Sequence, residues 1–391
     1  MYILMPTSYI CFEDDRVFVG NILKKNSMIK FNRIEDIKPN GKTLEQEIFV
    51  SDTEISAIKD SYYHKLEKKY HNTATKIGYI ETTSLCPYHC KMCPKYNHRI
   101  NRENIAMNEE TFNKIASQLK SQTEVELHLF GDPLCDIAIY NRIKTLNQIG
   151  IRPSFSTNLV SLRNICLEKL ADIKIGRLTI SCDADDHRIF SNIRGGISKE
   201  AMMDCYSFID QIAVLAKKTD CIEMLILQQI KMKYNKDYGN LIRRIADTHD
   251  KCQYVEKDFI EFPNSERSKL GRSIEYTGCE KILLYNILKK RTPFKCLKVW
   301  DKREQAVTCD GHVVPCCMSY NKAGSFGNVN NQTLSQIQMG EKHKTFRQKI
   351  WEGDSTNKIC DSCFHDQQWI THTRFNISSA NQLRSRCVES W

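Results

Sequence analysis

Between Lys76 and about Phe262, short runs of strand-forming residues alternate with longer helical patterns. Parallel strands joined by crossover helices produce this alternation, so it predicts an α/β fold. Six such units predict a partial (β/α)6 TIM barrel. The predicted strands cover residues 77–82, 124–129, 152–156, 177–181, 222–228 and 253–259. The predicted helices cover residues 108–122, 136–148, 162–173, 199–217 and 237–248.

The segment before the barrel has a different pattern. Residues 9–12 and 16–19 have strand character, and residues 53–70 form a charged helical stretch. We therefore divide the chain into an N-terminal extension of unknown role at 1–74, a barrel core at 75–265 and a C-terminal part at 266–391. Active sites of parallel barrels lie at the carboxyl ends of the strands, so the residues after each strand are the candidates for function.

Composition narrows the class of protein. The chain has 391 residues, 41% of them hydrophobic, and it contains no apolar run long enough to cross a bilayer. Its first residues lack the basic and apolar regions of a signal peptide, so we expect a cytoplasmic protein. Eighteen cysteines in such a chain favour metal or sulfur chemistry over a disulfide framework, because the cytosol keeps thiols reduced.

The formal net charge of +10 suits an anionic substrate or an acidic partner. No basic stripe interleaved with aromatic residues is present, so nucleic acid is an unlikely partner. No membrane partner is expected either.

The first predicted strand is followed by Cys86, Cys90 and Cys93 in the spacing C-x3-C-x2-C. Four thiolates saturate a four-iron cluster, so three on one loop leave one iron open to an exchangeable ligand. Zinc is the alternative, with His89 and His98 completing the site. A structural zinc site usually has two short pairs of ligands, and this loop does not provide them.

This motif resembles the signature of the radical S-adenosylmethionine (SAM) superfamily. The resemblance implies that the open iron binds the amino and carboxylate groups of SAM, which is cleaved to a 5'-deoxyadenosyl radical. The resemblance covers residues 76 to about 365. It implies which cofactor the chain binds, and it does not identify the substrate.

Two further strand ends are similar to family elements that bind SAM. Gly131-Asp132-Pro133 resembles the element that binds the SAM amino group, with aspartate where the family more often has glutamate. Ser156, Thr157 and Asn158 occupy the place where family members hold the SAM ribose. These three residue types are also preferred helix N-caps, and a cap is the alternative.

The fourth strand end carries Ser181 and Asp183, followed by Arg194-Gly-Gly. By resemblance, Arg194 pairs with the SAM carboxylate, because a planar guanidinium binds a carboxylate with two parallel hydrogen bonds. A structural ion pair is the alternative. The resemblance also implies that Met92 contacts adenine, although a loop methionine is often only packing.

The C-terminal part contains a second set of cysteines, with Gly311 in a tight turn between the first two of them. It resembles the twitch form of the SPASM domain, which binds one auxiliary 4Fe-4S cluster. No further cysteine follows closely, so we predict two clusters in all, with Cys309 or Cys279 as substitute ligands and a zinc site as the alternative. The four predicted ligands are Cys296, Cys316, Cys360 and Cys363.

Cys317 directly follows one of these predicted ligands. A thiol is a good hydrogen-atom donor, and relatives in the twitch group include epimerases that use such a cysteine. We therefore expect a radical SAM epimerase of a peptidyl or sugar carbon, with Cys317 as hydrogen donor. A dehydrogenase of a sugar or cyclitol alcohol, a non-catalytic zinc-binding module and a merely packed Cys317 are the alternatives. Expected partners are a peptide or carbohydrate substrate and a reductant such as flavodoxin or ferredoxin.

Overall fold

The structure is a computed structural model. It describes residues 63–95, 100–120, 122–232, 234–235, 237–258, 296–352 and 360, and the backbone of five strands before residue 52. Cys279, Cys363 and His98, which the sequence analysis named, lie outside the described residues. No helix in these ranges has the length and apolar composition needed to cross a membrane.

The chain divides into two compact units. The larger unit contains residues 73–274 and 301–346. The smaller unit contains residues 1–72, 275–300 and 347–391.

The smaller unit begins with short antiparallel strands. Its strands are β1 (Tyr2–Leu4), β2 (Ser8–Glu13), β3 (Arg16–Asn21), β4 (Ile29–Phe31) and β5 (Phe49–Ser51). Strand β1 pairs with β5, and β2, β3 and β4 form a separate three-stranded sheet. The helix α1 (residues 63–72) follows. Its Glu67 carboxylate binds Arg347 at 2.6 and 2.8 Å and also accepts from Trp300 Nε1.

The larger unit is built on a parallel sheet in the order β10, β9, β8, β7. Crossover helices connect its strands, and aliphatic side chains such as Leu178 and Leu227 are fully buried. The strands are β6 (Tyr79–Ile80), β7 (Phe155–Asn158), β8 (Ile175–Ser181), β9 (Ile222–Lys231) and β10 (Cys252–Asp258). The helices are α2 (Glu109–Ala116), α3 (Ile139–Gln148), α4 (Leu167–Ala171), α5 (His187–Arg194), α6 (Lys199–Thr219) and α7 (Asn240–Thr248).

The predicted second strand, 124–129, is reduced to single bridges at Glu126. Glu126 pairs with Tyr79 on one side and Ser154 on the other, which connects β6 to the start of β7. The predicted helix 162–173 is split into a 3-10 helix, Leu159–Asn164, and the short α4. The Asn158 side chain accepts from Val160 N and so starts the first turn three residues early. The predicted α/β fold with parallel strands is confirmed.

A second sheet of the larger unit has the order β13, β12, β11, β6. Strand β11 (Ala306–Val307) runs parallel to β6, and β12 (His312–Val314) and β13 (Gly327–Asn328) follow as antiparallel neighbours. Gly311 turns the β11–β12 hairpin with a φ of 88°, a conformation that favours glycine. The helices α8 (Leu334–Met339) and α9 (Glu341–Glu352) come next.

Candidate functional site

The cysteine loop leaves the end of β6. Cys90 is buried, whereas Cys86 and Cys93 are half-buried, and Cys93 N donates to the Cys90 carbonyl at 2.9 Å. Burial raises the pKa of the Cys86 thiol to about 12. Metal ligation requires the thiolate, so a bound cation has to supply the favourable charge that this loop lacks.

Two side chains from distant parts of the larger unit approach the Cys90 sulfur. Asn158 Nδ2 and Arg194 Nη1 each lie 3.8 Å from Cys90 Sγ. An amide donor and a guanidinium stabilise an anionic sulfur, which is the state of a cysteine bound to an iron-sulfur cluster. The residues around Cys90 therefore fit the predicted cluster.

The loop does not have the geometry of a single-ion site. Within the described ranges, no three His, Cys, Asp or Glu side chains lie close enough together to hold one metal ion. The ligands of a four-iron cluster bind different irons and need not converge on one point.

Gly131 lets the second strand end touch the beginning of the cysteine loop. A Cβ atom at this position would lie 1.9 Å from the Thr83 carbonyl oxygen and 2.8 Å from Ser84 Cα. The next residue, Asp132, donates its N–H to the Leu85 carbonyl at 2.9 Å. The Gly131-Asp132 backbone thus packs directly against the residues that lead into Cys86.

The Asp132 carboxylate is 5% exposed and accepts four hydrogen bonds from the chain itself. Burial raises its pKa, and these four donors oppose that shift. A carboxylate has about four acceptor positions, so the chain already uses those of Asp132. The predicted bond from Asp132 to the SAM amino group stays a prediction. The donors are Leu134 N, Thr157 Oγ1, Asn158 N and Ser161 Oγ, at 3.1, 2.8, 3.0 and 2.6 Å.

The predicted ribose element lies at the end of β7. Asn158 Oδ1 accepts from Val160 N at 3.0 Å, which confirms the helix-cap interpretation for this residue. Thr157 bonds Asp132, and Ser156 N donates to His128 Nδ1 at 3.2 Å. The three residues therefore connect the strand ends to each other, and contact with the SAM ribose stays a prediction.

Arg194 ends helix α5 and forms an ion pair with Asp183. Its Nε lies 2.5 Å from Asp183 Oδ2, and Asp183 Oδ1 accepts from Ile230 N at 2.8 Å. The structural ion pair is thus present. Arg194 Nη2 is buried and has no hydrogen-bond partner among the described residues, so the guanidinium keeps a donor for a ligand. Ser181 is buried near the end of β8, two residues before Asp183.

Met92 packs against an apolar cluster rather than standing alone in its loop. Its neighbours are the fully buried Ile193 and Met232, together with Ile189 and Ile230. The packing interpretation is confirmed, and the contact with adenine stays a prediction.

The cysteines of the C-terminal part fall in both units. In the larger unit, Cys316 follows β12, and its sulfur lies 3.7 Å from Ser319 Oγ. Cys296 and Cys360 belong to the smaller unit and are half-buried. Cys317 lies near the Tyr79 hydroxyl, and burial together with Cys317 raises the pKa of Tyr79.

Sequence reasoning missed several polar groups of the larger unit. Glu81 and Arg102 form a buried ion pair, and Glu126, His128, Arg177 and Lys257 lie close together. The only signal for them was the presence of charged residues inside predicted strands of a parallel sheet, which are usually apolar.

Comparison with known families gives two matches. Residues 80–209 match the model of the radical SAM superfamily. Residues 296–364 match the SPASM model, which describes an iron-sulfur cluster-binding domain.

A curated relative and two solved structures show how far the similarity extends. The chain is 23% identical over 302 residues to the tungsten-containing aldehyde ferredoxin oxidoreductase cofactor-modifying protein of Pyrococcus furiosus, covering 70% of this chain and 83% of the relative. Native anSMEcpe with bound AdoMet matches with a TM-score of 0.50 and 13% identity, over 78% of this chain and 98% of that one. Streptococcus suis SuiB bound to precursor peptide SuiA has a TM-score of 0.48 and 13% identity, over 89% and 90% of the two chains.

Proposed function

The chain is a radical SAM enzyme with a SPASM domain, and on this basis we propose that it epimerises a peptidyl or sugar carbon with Cys317 as hydrogen donor. The observation that carries the proposal is that Cys317 lies near the side chain of Tyr79, close enough to affect its pKa. Tyr79 belongs to β6, the strand that leads into the cysteine loop. This contact brings the proposed donor beside the strand that carries the radical-forming site.

The two domains imply a SAM-binding 4Fe-4S cluster and an auxiliary cluster. We assign residues 75–265 to the SAM-binding core and residues 266–391 to the auxiliary part. Cys86, Cys90 and Cys93 are the proposed ligands of the first cluster. By their spacing, the proposed ligands of the second are Cys296, Cys316, Cys360 and Cys363.

When bound, the first cluster and SAM supply a 5'-deoxyadenosyl radical that removes a hydrogen atom from a substrate carbon. Arg194 is proposed to bind the SAM carboxylate through Nη2, while Asp183 fixes the guanidinium through Nε. Asn158 and Arg194 donate to the Cys90 sulfur, so they stabilise its negative charge. Asp132 keeps the loop around Gly131 in place.

Cys317 completes the proposed reaction. Its S–H bond breaks, and the hydrogen atom passes to the substrate carbon on the face opposite to the one that lost hydrogen. The product differs from the substrate only in configuration, and Cys317 is left as a thiyl radical. One electron from a flavodoxin-type or ferredoxin-type reductant and one proton from solvent restore the thiol.

The test compares the parent with Cys317→Ala in D2O. We expect the parent to place one deuterium in the epimerised product, because the thiol hydrogen exchanges with solvent. Cys317→Ala should still release 5'-deoxyadenosine from SAM and should give no epimer. Cys166→Ala is the matched control, because Cys166 lies at the start of helix α4 and its thiol donates to Glu168.

Mass spectrometry of peptides and glycosides incubated with the reduced enzyme gives the readout. A product two mass units lighter and without deuterium would support the dehydrogenase instead. Full epimerisation by Cys317→Ala would refute the role of Cys317. A parent protein that never forms 5'-deoxyadenosine would refute the radical mechanism itself.

A further inference from the structure

One face of the parallel sheet of the larger unit buries aliphatic side chains, and the other, called here the polar face, carries charged side chains beside apolar ones such as Ile226 and Ile230. Leu178 of β8 and Leu227 of β9 are fully buried on the first face. Side chains alternate along a strand, so Arg177 of β8 lies on the opposite face, as does Lys257 of β10. Both are exposed, although parallel sheets usually bury both faces. The polar face is therefore suited to contact a ligand.

Glu126 and His128 lie on the same face as Arg177. Glu126 bridges Tyr79 and Ser154 in the sheet and forms an ion pair with Arg177. His128 is two residues further along. We call Glu126, His128, Arg177 and Lys257 the inner-face cluster.

The hydrogen-bonding state of His128 follows from one contact. Its Nδ1 accepts from Ser156 N, so in the neutral ring Nε2 carries the hydrogen. Burial, with repulsion from Arg177 and Lys257, lowers the pKa of His128 to about 4. At pH 7 it is therefore a neutral hydrogen-bond donor.

The inner-face cluster has more donors than acceptors. Within the cluster two cations face one carboxylate, Glu126, and burial with the nearby Glu124 raises the pKa of its carboxyl. Burial and the nearby Arg177 lower the pKa of Lys257, whose ammonium forms no ion pair with any described residue. A bound anion would relieve the repulsion between these two cations. Glu126 Oε2 is buried, lies 3.5 Å from His128 Nδ1 and accepts no hydrogen bond from the described residues, so a donor group on the same ligand would satisfy it.

We propose that the inner-face cluster binds an anionic group of the substrate, a carboxylate or a phosphate, with Arg177 and Lys257 as the binding residues. That the anion belongs to the substrate rests on the function proposed above. Anion binding by these residues does not depend on that function. Tyr79 connects the proposed anion site with Cys317, because it pairs with Glu126 in the sheet and its side chain lies near Cys317. If the anionic group of the substrate binds here, the carbon next to it would lie near Cys317.

The experiment measures binding of inorganic phosphate and of acetate to the anaerobic enzyme loaded with SAM and kept without reductant. Bound SAM occupies Arg194, so the probe reports on the other cations. Isothermal titration is run on the parent, Lys257→Gln, Arg177→Gln and Lys217→Gln. Lys217 lies on helix α6 and is the matched control. Lys257→Gln is the main variant, because Arg177→Gln also leaves Glu126 without its ion pair.

We expect saturable binding of one anion per chain and a loss of affinity of about tenfold or more in both cluster variants, with no change in Lys217→Gln. Tighter binding of phosphate indicates a phosphorylated substrate, and tighter binding of acetate indicates a carboxylate. No saturable binding to the parent, or equal binding by parent and Lys257→Gln, overturns the proposal. Release of 5'-deoxyadenosine by the same preparations is measured separately, so a failure of the radical chemistry is distinguished from a failure of anion binding.

Discussion

Two arginines of the larger unit each pair with a carboxylate near a cysteine sulfur, yet they use their guanidinium groups differently. Arg102 binds Glu81 with both terminal nitrogens, at 2.7 Å each, and lies 4.0 Å from Cys309 Sγ. Arg194 binds Asp183 through Nε and the Cys90 sulfur through Nη1. Among the described residues, each guanidinium has one buried nitrogen without a hydrogen-bond partner, which is Nε in Arg102 and the terminal Nη2 in Arg194.

The two carboxylates that bind these arginines also differ in how many other groups they contact. Glu81 also accepts from Phe130 N at 3.3 Å and from Cys309 N at 3.1 Å, so it ties the second strand end and the β11–β12 hairpin to the end of β6. The Asp183 carboxylate connects β9 to the end of α5. We infer that a guanidinium held by both terminal nitrogens is part of the framework, whereas one with a terminal nitrogen still unpaired can bind a ligand. The four predictions below test this difference.

The largest expected effect is on stability. In Arg102→Leu, the Glu81 carboxylate, 0% exposed, loses its cation. Removing one partner of a buried ion pair costs about 3–5 kcal/mol, and we expect a loss of unfolding free energy in this range. Urea unfolding of the anaerobic protein measures it. Lys114→Ala is the control, because the pair with Glu110 is exposed and its loss should leave the unfolding free energy almost unchanged. A loss of unfolding free energy as small as that of the control would contradict a structural role for Arg102.

The second effect is on SAM binding. Arg194→Lys keeps the positive charge and loses the planar fork, so we expect about tenfold weaker SAM binding, or about 1.4 kcal/mol. Equilibrium dialysis against labelled SAM measures it, and urea unfolding should show a smaller loss than Arg102→Leu. Unchanged SAM binding with a large loss of stability would make the two ion pairs equivalent and would contradict the comparison.

The same comparison shows what the sequence could and could not predict. The cysteine spacing predicts the cluster loop, and the strand pattern placed Asp183 and Arg194 after the same strand, because both are local properties of the sequence. The Glu81–Arg102–Cys309 group joins positions more than 200 residues apart, and no local pattern encodes such a contact. Asp132 was matched to a family element, but sequence could not show that Thr157, Asn158 and Ser161 already occupy its oxygens.

A third prediction concerns the sulfur of Cys90. Asn158→Ser keeps a side-chain oxygen that can cap the 3-10 helix and removes the amide donor 3.8 Å from Cys90 Sγ. Loss of a hydrogen bond to a cluster sulfur disfavours the reduced, more negative state. We expect a lower reduction potential for the SAM-binding cluster in redox titrations followed by electron paramagnetic resonance. The auxiliary cluster is the internal control, and an equal shift in both clusters would contradict a local effect.

The smallest effect is expected at Cys309, which the sequence predicts as an alternative ligand of the auxiliary cluster. Cys309 is buried beside Arg102 and Glu81, and burial, with repulsion from Glu81, raises its pKa to about 12. If it belongs to the framework, Cys309→Ser should cost about 1 kcal/mol for the added buried hydroxyl. Its iron content should stay at about eight atoms per chain.

Cys316→Ser is the matched comparison for Cys309→Ser, because both cysteines flank the β12 strand. We expect this variant to lose the iron of one cluster, about four atoms per chain, because Cys316 is a proposed ligand. Iron and sulfide analysis of both proteins after anaerobic purification gives the result. Loss of iron from Cys309→Ser with full iron in Cys316→Ser would exchange the two assignments. It would also place a cluster ligand next to Arg102, so that the Glu81–Arg102 pair would no longer be a purely structural one.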